Sequence, residues 1–236
     1  MFSKILRWPL SLLPPETEVR ILRGSLRGKK WIRSAGPNAC WLGRYEVDRL
    51  REFEDELRPG YVVYDVGANV GIYALHATFA VGESGWVYAF EPLERNLQYL
   101  RKHMSLNRVA NCTIVENAVC NREGMLAFSA ASWQPSMARL SAQGEISVPA
   151  TTLDICIYGK KRFRPPNVIK IDVEGAEVEV LQGAARTITE FHPTIFLEIH
   201  GAELHRDCRD FLMAKGYKVK ERSGELTATW TPPNGG

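Results

Sequence analysis

Seven consecutive residues, Asp65-Val66-Gly67-Ala68-Asn69-Val70-Gly71, set an acid, two glycines and an asparagine where an apolar β-branched run gives way to a helical one. Such a turn lets a ligand approach the backbone at Gly67 and Gly71 and meet the free N–H groups of the next helix, while Asn69 tolerates left-handed geometry. The spacing is G-x-N-x-G, not the G-x-G-x-x-G of a dinucleotide site, which disfavours a nicotinamide-dependent dehydrogenase. Glu91 ends the next apolar run, where a carboxylate accepts both hydroxyls of a ribose that carries no 2′-phosphate. Glu116-Asn117-Ala118 ends a third run and would line an adenine.

A second cluster comprises Asp172, Glu174 and Glu177, then Glu198 and His200. Strand alternation sends Glu198 and His200 to one side and Leu197 and Ile199 to the other. A histidine that is neutral near pH 7 can take a proton from an attacking hydroxyl, so His200 is the expected base. Asp172 and Glu174 would sit beside a cationic ligand or bind substrate hydroxyls. The set Asp172, Glu198 and His200 could also ligate a divalent metal, a reading not favoured over hydrogen bonding among these groups and the substrate.

Elements of the right period stand where these residues need them. Residues 45–57 read as a helix, 61–66 as a strand, 72–81 as a helix, 86–92 as a strand, 93–107 as a helix and 112–119 as a strand. Small strands are expected at 125–130 and 145–155, with a loop between them and a basic loop at 160–166. The rhythm resumes with a strand at 167–175, one helix over 176–191, a strand at 194–201, a helix at 203–216 and a hairpin at 217–230. This βαβ order implies an α/β fold with a mostly parallel sheet covered by helices on both faces.

The 236 residues, 45% hydrophobic and 24% charged, suit one domain with an extension and exclude fibrous or disordered classes. Five scattered cysteines without a Cys-x-x-Cys pair point to a reducing, cytoplasmic location. Residues 1–33 carry eight Lys and Arg against Glu16 and Glu18, and the rest is mildly acidic. The expected division is a basic extension at 1–40, a catalytic domain at 41–232 and a flexible tail at 233–236. Residues 1–16 are too broken for a transmembrane helix but could meet an anionic membrane surface, placing the protein peripherally there. Homo-oligomerisation is left open.

The ordered set DVGANVG, YAFEP, VENAV, ATTLD, VIKIDVEGAEVEVLQGA and FLEIH resembles the FkbM family of S-adenosylmethionine-dependent methyltransferases over residues 41–201. The resemblance implies a class I, Rossmann-like methyltransferase fold with seven strands, the terminal hairpin completing the sheet. It implies S-adenosyl-L-methionine as cofactor, with Asp65, Gly67, Asn69 and Gly71 at its methionine end, Glu91 on the ribose, and Asn117 and Ala118 on the adenine side. Glu46 would lie near the cofactor, and Asp172 beside its charge. The reaction implied is O-methylation of a hydroxyl on a sugar, glycan, glycolipid or natural product. Two rivals remain: a nucleic-acid methyltransferase using the basic arm and Lys160, Lys161, Arg162 and Arg164 on phosphates with Phe163 on a base, and a non-catalytic cofactor-binding scaffold.

Overall fold

The computed structural model describes residues 14–129, 139–140, 146–160, 162–222 and 224–232. Strands β1 (Glu18–Arg20) and β2 (Lys30–Ile32) form an antiparallel pair, followed by helices α1 (Asn38–Leu42) and α2 (Val47–Glu56). Then come β3 (Val62–Val66), α3 (Ile72–Val81), β4 (Trp86–Phe90), α4 (Glu94–Leu106) and β5 (Cys112–Val115). Next are β6 (Ala118–Val119), β7 (Gly124–Ser129), β8 (Arg139–Leu140), β9 (Ile146–Thr151) and α5 (Leu153–Tyr158). The chain continues through β10 (Val168–Ile171), α6 (Glu177–Gly183), α7 (Ala185–Phe191), β11 (Thr194–Glu198), α8 (Ala202–Ala214), β12 (Tyr217–Arg222) and β13 (Glu225–Trp230). The main sheet runs β12-β13-β11-β10-β3-β4-β5, parallel except at β13, which is antiparallel to both of its neighbours.

Alternation along the strands splits the core in two. Val63, Val87, Ala89, Val168 and Phe196 face α2, α3 and α4, whereas Val62, Tyr64, Ile169, Ile171, Ile195 and Leu197 face α5 to α8. Fully buried side chains such as Leu75, Leu100 and Ile169 each contribute about 1.5–3 kcal/mol of apolar transfer. Covering both faces is what a parallel sheet requires.

Residues 18–41 belong to the first of these cores. Trp31 and Ile32 are fully buried, Trp31 stacks on His103 at 3.6 Å, and Asn107 clamps both backbone groups of Lys30 at 2.8 Å. Packing is thus continuous across residue 40, and the basic side chains decorate a docked strap. The expected membrane contact through residues 1–16 lies almost wholly outside the described residues, as do the 131–144 loop and the tail. No helix among the described residues is long and apolar enough to cross a membrane.

Four expectations about elements need correction. The run 112–119 is two strands: β5 stays in the main sheet, while β6 pairs with β9 in a separate four-stranded sheet, β6-β9-β7-β8. The run 145–155 stops being a strand at Thr151, because the Thr152 hydroxyl accepts the Ile155 N–H at 3.0 Å and caps α5. The helix expected over 176–191 breaks into α6 and α7 at Ala184, next to Gly183, where a Cβ would lie 2.0 Å from the Cys120 carbonyl oxygen. Finally, β11 ends at Glu198, so alternation does not govern His200.

The basic loop 160–166 precedes β10. Phe163 stacks on Tyr88 at 4.2 Å, Tyr64 donates to the Arg164 carbonyl at 2.9 Å, and the Arg164 guanidinium reaches the Ser84 carbonyl at 3.3 Å. These contacts place the loop where the parallel strands begin, away from the edge where they end, and Phe163 is spent on the core instead of being offered to a base.

Candidate functional site

The parallel strands β3, β4, β10 and β11 all finish on one edge, so Asp65, Glu91, Asp172 and Glu198 converge there. Asp65 is fully buried, and neither carboxylate oxygen has a well-formed hydrogen bond among the described residues. Burial lifts its pKa to about 6 against the pull of Lys170, whose ammonium stands 4.0 Å away. Gly67 takes φ 81°, and a Cβ there would lie 1.8 Å from the Asp172 carbonyl oxygen, so only glycine permits this approach of β3 to β10. Asn69 takes φ 49° and Gly71 φ 93°, the latter directly before α3.

Glu91 is also buried. It accepts the Asn69 N–H and the Leu93 N–H, both at 2.9 Å, and burial raises its pKa to about 7 against these donors and Asn96. The cleft beside it is lined by Asn69, Leu93, Asn117, Ala118 and Leu126 on one side and by Tyr45, Asp172, Glu174 and Glu198 on the other. A second hollow adjoins it through Tyr45, Gly67, Asn69 and Asp172 and is roofed by Ser34, Gly36 and Pro37 of the strap. Glu46 is not part of either lining: its carboxylate accepts the Tyr73 hydroxyl at 2.6 Å, at a φ of 38° that turns Tyr45 toward the cleft.

Lys170 and Tyr45 are site residues that sequence reasoning missed. Lys170 is buried, donates to Asp172 at 3.0 Å, and stands 4.6 Å from the Tyr73 ring centre. Its two acids outweigh desolvation and keep it charged. The pairing of Lys170 with Asp65 across β10 and β3 follows from the sheet register, which a sequence does not display.

The second cluster gathers around His200. Its Nδ1–H donates at 2.8 Å to the fully buried Glu177, while Nε2 lies 3.6 Å from Glu174 and 4.0 Å from Asp172. The Glu177 bond and the neighbouring carboxylates raise its pKa to about 9 despite partial burial. The ring is therefore largely protonated at neutral pH, unlike the neutral base expected from sequence. Glu174 turns back toward it through a left-handed residue, φ 48°, followed by Gly175 at φ 103°. Ligating atoms of Asp172, Glu174 and His200 all lie within 4.8 Å of one another, so the compact group contains Glu174 where the sequence suggested Glu198. Glu198 instead lines the cleft, with its pKa raised to about 7 by burial and by Asp172.

Comparison with known proteins bears on the family and the fold. The profile of the methyltransferase FkbM domain matches residues 65–219. The hexuronic acid methyltransferase AglP of Haloferax volcanii is 25% identical over 171 residues, covering 72% of this chain and 68% of that protein. The solved methyltransferase FkbM of Methylobacillus flagellatus superposes with a TM-score of 0.54 at 17% identity, over 81% of this chain and 53% of that one, so this chain spans about half its length. A SAM-dependent O-methyltransferase of Thermotoga maritima gives a TM-score of 0.53 at 13% identity, over 94% and 80%. With a class I, Rossmann-like sheet, the glycine turn on its first central strand and a domain match over more than half its length, the chain belongs to the FkbM family of S-adenosylmethionine-dependent methyltransferases.

Proposed function

We infer that the protein methylates a hydroxyl of a sugar or glycan. The observation that carries this reading is the acidic rim of Asp172, Glu174 and Glu198 on the cleft. Carboxylates accept hydrogen bonds from sugar hydroxyls and repel the repeated phosphates of a nucleic acid, which favours a polyol. Similarity to a hexuronic acid methyltransferase supports the same substrate class.

The residues fit the cofactor on their own terms. Asp65 is a fully buried carboxylate two residues before Gly67, outside the lining of either hollow and without a well-formed hydrogen bond among the described residues; Gly67 and Asn69 let the backbone come close, and Glu91 with Asn117 and Ala118 flanks the nucleoside side. When bound, S-adenosylmethionine supplies an electrophilic methyl on a sulfonium sulfur. The chain's part is to hold the hydroxyl in line and to take its proton. His200 is engaged by Glu177 and faces two carboxylates, so the proton acceptor in this reading is Glu198, whose carboxylate lines the cleft and has no hydrogen bond among the described residues. Asp172, held by Lys170, and Glu174 orient the acceptor, and His200 neutralises their charge.

The test is transfer of labelled methyl from S-adenosylmethionine to methyl glucuronide, methyl glucoside and total RNA. Incorporation into a glycoside as an alkali-stable ether is expected, with Glu198→Gln lowering kcat about 100-fold or more and leaving cofactor affinity intact. An alkali-labile ester, or label in RNA alone, overturns the reading.

A further inference from the structure

We propose that Asp172, Glu174 and His200 bind one divalent cation of the Mg²⁺ or Mn²⁺ class at the rim of the cleft, with open positions facing the acceptor. For what the ion does, this rests on the sugar-hydroxyl reading; for whether it binds, it does not.

The spacing is the first argument. A carboxylate oxygen of Glu174 stands 3.6 Å and one of Asp172 4.0 Å from His200 Nε2, and ligating atoms of the three residues all lie within 4.8 Å of one another. Ligands about 2.0–2.5 Å from a shared ion are roughly 3–5 Å apart, so an ion fits among these atoms without moving a strand.

The second argument is what stands behind the ring. Glu177 is fully buried, is aimed at Nδ1 at 2.8 Å, and keeps its other oxygen without a hydrogen-bond partner among the described residues. A buried carboxylate on one imidazole nitrogen fixes the orientation that presents the other nitrogen, Nε2, as a ligand, and the ion takes the place of the Nε2 proton, which is released to solvent on binding. Nε2 points at Asp172 and Glu174, the two carboxylates that also line the cleft. The three ligands come from the end of β10, the turn after it and the turn after β11, so the sheet's rigid edge sets their separation. Three protein ligands meet there among the described residues, leaving room in an octahedral shell for two neighbouring sugar oxygens. The ion would choose among acceptors by the geometry of a diol, and Glu198 would remain the group that receives the proton.

The experiment is a titration of the full chain, stripped with EDTA, with Mn²⁺, reading free ion by electron paramagnetic resonance. One saturable equivalent per chain is expected, displaced by Mg²⁺. Glu174→Gln and His200→Gln each weaken it about tenfold or more, as does Glu177→Gln, which touches no ion. Glu190→Gln, removing an exposed acid paired with Arg186 on α7, leaves it unchanged. Thermal melting of each variant checks that it is folded. No bound equivalent, or equal affinity across all variants, overturns the proposal. Calorimetry with S-adenosylmethionine on the same samples separates the two readings: cofactor binding without Mn²⁺ binding removes the ion alone, and Mn²⁺ binding without cofactor binding removes the methyl-transfer reading alone.

Discussion

Glu91 is held ready by two backbone N–H groups that share its carboxylate, one of them from the Asn69 turn. Charged hydrogen bonds of this kind are worth about 1.5–3 kcal/mol each. Calorimetry should therefore find S-adenosylmethionine bound about 10- to 100-fold more weakly by Glu91→Ala; unchanged affinity would detach Glu91 from the cofactor. Asp65, Gly67, Asn69 and Glu91 were legible because residue type and strand-end position coincide in one short stretch each. Tyr45 was not, since its approach depends on the left-handed turn at Glu46, and neither was the engagement of His200 by Glu177, two residues 23 apart brought together by the ends of β11 and α6.

At the scale of elements, the strap is fastened by a histidine in a particular protonation state. His103 accepts the Ile32 N–H at Nε2 (3.0 Å) and donates Nδ1–H to the Val70 carbonyl (2.7 Å), which requires the neutral ring. Burial lowers its pKa to about 4. An unfolded chain protonates near pH 6.5, so this contribution to stability is complete above 6.5 and is lost as pH falls from 6.5 through 4. Thermal melts should show a loss on the order of 2 kcal/mol between pH 7 and 4.5 that His103→Gln largely abolishes; equal slopes in both proteins would refute it. The sequence pattern revealed α2 and α4 by amphipathic periodicity, α3, which is buried nearly all round, by composition and length, and β3, β4 and β10 by their apolar runs. It could not reveal β1 and β2, three residues each, whose basic side chains mask Trp31 and Ile32. Nor could it divide 112–119, where the apolar pattern continues through a change of sheet.

Across the whole molecule, Lys160, Arg162 and Arg164 of the basic loop lie at the opposite end of the sheet from the chemistry. Lys160 and Arg162 sit before β10 begins, a strand's length from Asp172. Replacing both with alanine should leave kcat/KM for methyl transfer, and its salt dependence, unchanged; a steep fall would return nucleic acid to consideration. The fold class was readable because strand and helix alternate in long periods, whereas the end of the sheet on which a loop falls is decided only by chain direction through the assembled strands.

The order of strands also bears on how the sheet is completed. β13 follows β12 in the chain yet lies between β12 and β11. Without residues 225–230, β11 keeps a bare edge carrying Ile195 and Leu197, and β12 has nothing in the sheet to pair with. β12 reaches the sheet only through β13, so a chain shortened to residue 224 is expected to aggregate through the exposed β11 edge.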